Sequence, residues 1–93
     1  MKVGSVTKQS SERRRYSISY TEALDAGDSI VSVSHSVSPS GLTVTTAVAD
    51  ADRIRVIVEG GVTATTYVVT VTTTTTNSNE IFEDELTVKV KDI

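Results

Sequence analysis

The sequence predicts an all-β domain: a small antiparallel β-sandwich of six to seven strands behind an extended N-terminal arm. Three observations lead there. Val and Thr each make up about a sixth of the 93 residues, with Ser close behind. Their β-branched side chains lose rotamer freedom in a helix and suit a pleated surface, while the helix formers Leu, Ala, Glu and Lys are sparse. Apolar and polar residues also alternate with a period of two in several runs. Turn chemistry separates these runs about every 8–12 residues, as in sandwiches.

Residues 1–15 are polar and lack periodicity, so they read as the arm, and the sandwich domain spans 16–93. The arm ends in a basic cluster, Arg13, Arg14 and Arg15. In "RYSISY" the residues Tyr16, Ile18 and Tyr20 share one face of a first strand. "TEALDAGDS" breaks it, with Asp25, Gly27 and Asp28 as turn formers and Leu24 plugging the end of the core. "SIVSVSHSV" places Val31, Val33, His35 and Val37 on one face and Ser32, Ser34 and Ser36 on the other. Pro39 and Gly41 make a tight turn. "LTVTTAV" points Leu42, Val44, Thr46 and Val48 inward. After the turn "ADADR", Ile54, Val56 and Val58 point inward and Arg53 and Arg55 outward. Ile57 breaks the outward pattern, which implies a partly covered outer face. Gly60 and Gly61 end this strand.

The run of five threonines, Thr72 to Thr76, reads as strand rather than a disordered tract. Tyr67, Val69, Val71, Thr73 and Thr75 form one face, and Thr70, Thr72, Thr74 and Thr76 belong to the other. A mucin-like stalk would need Pro, and none is nearby. "NSN" supplies a turn into "EIFEDELTVKVKDI", where Phe82, Leu86, Val88 and Val90 alternate with Glu83, Glu85, Lys89 and Lys91. Asp84 falls in phase with the apolar set, so it belongs at the rim near the strand's start. Two long strands joined by a short turn form a hairpin. Tyr67, at the start of the penultimate strand, matches the tyrosine of immunoglobulin-like domains whose hydroxyl bonds back to the preceding loop. The sandwich is therefore read as Ig-like, with an up-and-down barrel as the alternative.

Composition narrows the function. A chain of 93 residues makes one domain with a modest core and little room for a deep catalytic pocket. No Cys is present, so disulfides and thiolate metal sites are excluded and the redox compartment stays open. The net charge of −3 argues against binding nucleic acid over the whole surface. No apolar run approaches the roughly 18 residues of a membrane span, and "MKVGSVTKQSSERRR" lacks the apolar region of a signal peptide. Synthesis and use, or assembly, in the cytoplasm is the expectation.

No catalytic constellation emerges. His35, the one histidine, lies on an apolar strand face and reads as a core or interface residue with a satisfied hydrogen bond. Serines are so common that one beside it carries no information about a triad. Asp25 with Asp28, and Asp50 with Asp52, suit turns better than calcium, which takes about six to eight oxygens. The acids Glu80, Glu83, Asp84 and Glu85 read as a solvated strand edge that blocks edge pairing. No glycine-rich phosphate loop precedes a helix. No catalytic, cofactor-binding or metal-binding residue is assigned. Arg13 to Arg15 suit an acidic protein neighbour better than phosphate, because no aromatic residues interleave.

Several segments taken together resemble a known family. "YSISYTEALDAGDSIVSVSHSVSPSGLTV", "RIRVIVEGGVTATTYVVTVTTTTTN" and "EDELTVKVKD" are similar to small phage Ig-like fibre–tail adaptor proteins. The resemblance rests on Leu24, Gly27, Asp28 and Ile30; on Pro39, Gly41 and Leu42; on Gly60, Gly61 and Tyr67; and on the charged strand Glu83 to Lys91. It covers about residues 16–92. Two departures stand out: Trp is absent, with Tyr20 and His35 in comparable places, and "ERRR" replaces an acidic lead segment. The resemblance implies a non-catalytic virion protein, assembled in the host bacterial cytoplasm without a cofactor. It also implies a homo-oligomeric ring joining the tail or portal-proximal proteins to a fibre N-terminus. The expected contact surfaces are the arm from Lys8 to Tyr16, with Arg13, Arg14, Arg15 and Tyr16, and the threonine strand, with Thr72, Thr74 and Thr76. A capsid decoration or cement protein is the alternative. A carbohydrate-binding sandwich would need exposed aromatic residues and ranks below both.

Overall fold

The computed structural model describes residues 2–22, 24, 26–76 and 80–92. Seven strands account for the regular structure: β1 (Lys2–Lys8), β2 (Arg13–Ser19), β3 (Ile30–Ser38), β4 (Leu42–Asp50), β5 (Arg53–Gly60), β6 (Thr65–Thr75) and β7 (Ile81–Val90). They form two sheets, one ordered β1-β7-β6-β3 and the other β2-β5-β4. Lettered A to G in chain order, these are A-G-F-C and B-E-D. That is the strand partition of immunoglobulin sandwiches, with the first strand moved beside the last. The turn "NSN" and Asp25 lie outside the described residues.

Alternation builds one core between the sheets. Ile54, Val56 and Val58 from the three-stranded sheet meet Val69, Val71, Val88 and Val90 from the other, all at most 1 % exposed. Tyr20, Ile30, Leu42, Tyr67 and Leu86 close the core, and Tyr16, Ile18, Leu24 and Phe82 pack against it. Every one of these strands except β1 was legible from its period-two pattern.

Of the expected arm, residues 1–15, the described residues 2–15 are strand and turn. Lys2–Lys8 pairs with β7, and β2 begins at Arg13. The β1–β7 pair is parallel, so the sandwich is not wholly antiparallel. Its inward positions are Gly4, Val6 and Lys8, opposite Leu86, Val88 and Val90. Gly and Lys at inward positions hide the alternation. Lys8 is nonetheless buried, because its ammonium donates to the carbonyls of Gln9 at 2.7 Å and Gly60 at 2.5 Å. A bulge between Ile30 and Ser32 shifts the start of β3. Ile30 therefore fills the core, and Val31, expected inward, is 57 % exposed. Val48, also expected inward, is 40 % exposed near the end of edge strand β4.

Two buried tyrosines mark the two ends of the sandwich. The Tyr67 hydroxyl accepts from the Val62 N–H at 2.9 Å, the loop contact expected of it. Gly61, at φ +94°, and Gly41 leave room for that ring; a Cβ on Gly61 would lie 2.8 Å from Val90 Cγ2. At the other end, Tyr20 stacks on Phe82 with ring centroids 5.2 Å apart and donates to Asp84 Oδ2 at 2.5 Å. Asp84, expected at the rim, is 2 % exposed. Tyr20 and Thr73, whose hydroxyls lie 3.3 Å apart, give that carboxyl a polar niche inside the core.

Candidate functional site

With its apolar side chains turned inward, the domain presents its chemistry on two outer faces. On the three-stranded sheet, Arg15 of β2 lies diagonally across from Arg55 of β5, whose direct partner is Ser17, while Arg13 and Arg53 stand at opposite ends of the β2–β5 pairing. Arg13 faces Glu59 directly across the strands, with Nε 3.9 Å from Oε1. Arg53 forms an ion pair with Asp50 across the β4–β5 turn. Among the described residues, neither Arg15 nor Arg55 has an acidic partner. Together with Ser17, Ala49, Asp50 and Arg53 they line an open groove of about 380 Å³. Arg14 has the inward parity, but it lies exposed at the sheet's end and pairs with Glu12 at 3.5 Å.

The outer face of the four-stranded sheet is a field of hydroxyls. Thr70, Thr72 and Thr74 of β6 lie between Ser36, Ser34 and Ser32 on β3 and Glu85, Glu83 and Ile81 on β7. Thr76, one residue past β6, is tied down: its hydroxyl donates to the Ser29 carbonyl at 3.0 Å.

The predicted contact residues therefore divide between opposite sides of the molecule. Arg13 and Arg15 belong to one outer face, Thr72 and Thr74 to the other. Tyr16 is half-buried and packs against the core. The sequence shows Arg53 and Arg55 pointing outward, but not that β5 lies beside β2. The strand pairing brings Arg15 to the same groove as Arg53 and Arg55.

His35 shares the inward face of β3 but lies exposed at the sheet edge, its Nδ1 2.8 Å from Thr46 Oγ1. It thus bridges β3 and β4 across the open side of the sandwich. Among the described residues, no three metal-ligating acids, histidines or cysteines gather.

The sequence model of the podophage GP4 fiber-tail adaptor protein gp77 family matches residues 8–89. The chain belongs to that family. The match starts at Lys8, the buried lysine at the end of β1, and runs through the alternating part of β7. It spans both sheets and both outer faces. The adaptor family's description carries a structural role in a phage. No curated protein matches the chain closely enough to count as a relative.

Proposed function

We propose that the chain is a non-catalytic adaptor of the phage virion, joining fibres to the tail or portal-proximal complex through repeated protein–protein contacts. The observation that carries this reading is the adaptor-family match over residues 8–89. The form of the molecule supports it. Its extents are 45 × 19 × 17 Å, a rod longer than it is wide. A preformed sheet surface loses little conformational freedom on docking. The two outer faces differ in chemistry, as a connector between two partners requires. Several copies in a ring would add avidity to weak contacts. The hydroxyl face around Thr72 and Thr74 is the surface offered to a fibre N-terminus, and assembly takes place in the host cytoplasm.

Mass spectrometry of separated heads and tails tests this reading. The chain is expected in the tail fraction, at a copy number matching a ring. Recovery in the head fraction at lattice copy number would replace the adaptor with a capsid decoration protein. Absence from both fractions would remove any virion role.

A further inference from the structure

Every arginine of the chain lies on β2 or β5, in a molecule whose net charge is −3. Arg13, Arg14 and Arg53 each face a carboxylate, those of Glu59, Glu12 and Asp50. Arg15 and Arg55 are exposed and have no acidic partner among the described residues. They are diagonal neighbours across the β2–β5 pair, a relation that holds Cβ atoms about 7–8 Å apart and within reach of long side chains. Both line the open groove, with the short side chains of Ser17 and Ala49 beside them. Ile57 completes the patch. It is the apolar residue on an outer face of β5 otherwise made of Arg53, Arg55 and Glu59, and it is only half-buried. Arg15 lies directly across from it on one side and Thr45 on the other.

We propose that this patch receives an extended acidic segment of a second virion protein, with a carboxylate held between Arg15 and Arg55 and an apolar side chain set on Ile57. A guanidinium offers only donors, in a planar fork that matches a carboxylate, and it stays charged at any working pH. An apolar contact beside the ion pair excludes water, and attraction between charges strengthens as the local dielectric falls. A nucleic acid fits the patch less well. Asp50 and Glu59 stand near its two ends and would meet the regular phosphates of a strand. No aromatic ring lines the groove to stack on a base. The partner's place in the virion rests on the adaptor reading, whereas the chemistry of the segment rests on the patch itself.

Titration of the purified full chain with a synthetic peptide, followed by amide NMR shifts, tests it. The probe is a short peptide with Glu and Leu alternating at every second position and Ser between, so that both point to one face when extended. The control carries Gln in place of Glu. The Glu peptide is expected to shift the amides of Arg15, Ser17, Arg55 and Ile57, with an affinity that falls as salt rises. Arg15→Ala/Arg55→Ala should weaken binding about tenfold or more. Ile57→Ser should weaken it less and leave the salt dependence unchanged. All three side chains project outward, so an unchanged melting temperature shows that the fold is kept. Absence of shifts at millimolar peptide overturns the proposal, as does equal binding of the Gln control or indifference to the double variant. A DNA duplex that binds the same amides more tightly would make the patch a phosphate site. Self-association that moves these amides without peptide would give the patch to a second copy. The position of the chain in the phage does not enter this titration, so the adaptor reading stands or falls separately.

Discussion

The two ends of the sandwich are each fastened by a buried tyrosine hydroxyl, but by different chemistry. At the Tyr67 end the partners are backbone: the Val62 N–H donates to the phenol, and Lys8 caps the Gln9 and Gly60 carbonyls. At the Tyr20 end, six residues or about 20 Å along β6, the phenol donates to the buried side chain of Asp84. A backbone partner is available wherever a loop closes over a core. A buried carboxyl must be supplied by one residue and met by another, because an unpartnered one is costly in a low-dielectric interior. The first end therefore depends on close approach, and the second on a specific pair.

Breaking the Tyr67 end should have the largest effect. Gly61→Val forces a β-branched side chain into a left-handed backbone, with Cβ 2.8 Å from Val90 and 3.3 Å from Tyr67. A loss of roughly 3 kcal/mol or more is expected in urea unfolding. Next comes Tyr20→Phe, which removes the donor to Asp84 and should cost about 2–3 kcal/mol. Asp84→Asn sharpens that result: it keeps an acceptor for the phenol in a side chain of the same shape, so its cost should stay under about 1 kcal/mol. Equal losses for the two substitutions would mean that the carboxylate itself, rather than the hydrogen bond, holds this end. Tyr67→Phe should cost about 1 kcal/mol, since it leaves a single N–H in a partly exposed loop. In a domain of this size 1 kcal/mol corresponds to roughly 4–8 °C in melting temperature.

Alkali separates the ends more gently. Burial, reinforced by the bond to Asp84, pushes the Tyr20 phenol well above its ordinary value of 10.0. The native state then holds a proton that the unfolded chain releases, so this contribution is complete below pH 10 and falls as pH rises beyond it. Lys8 has the opposite sign. Burial, opposed by Glu12, Asp92 and Glu59, lowers its ammonium from 10.5, so its contribution to stability rises as pH approaches that value. Phenolate absorbance should show a tyrosine that ionises only as the protein unfolds, and Tyr20→Phe should abolish that step. The unfolding free energy from two-state curves collected between pH 8 and 11 should fall more toward alkali in wild type than in the same variant.

The contrast between the ends also shows what could be read without coordinates. Tyr67, Gly60 and Gly61 announce their end, because a loop glycine pair before a strand-initial tyrosine has a local geometric meaning. Ile54 and the six inward valines of β5, β6 and β7 were legible for the same reason: alternation is local. Asp84 was not, since its partner Tyr20 is 64 residues away and nothing local separates a buried acid from a rim acid. β1 was missed because Gly4 and Lys8 occupy inward positions that usually hold apolar residues, and Lys8 is acceptable there only through the carbonyls of Gly60 at the end of β5 and Gln9 just after β1. The arginine groove was half visible: Arg15, Arg53 and Arg55 point outward by parity, but their meeting depends on β2 pairing with β5. Val31 misled because a bulge reverses parity, and bulges leave no reliable mark in a single sequence.

On the proposed function, the two ends and the core hold the fold while the outer faces make the connection. Complementation of a phage lacking this chain measures it directly. Arg15→Glu/Arg55→Glu and Thr72→Arg/Thr74→Arg should melt within a few degrees of wild type yet fail to yield fibre-bearing tails. Asp84→Asn, altered only inside, should restore them. Fibre-bearing, infectious particles from both outer-face variants would contradict the claim and move the working surface to the strand edges.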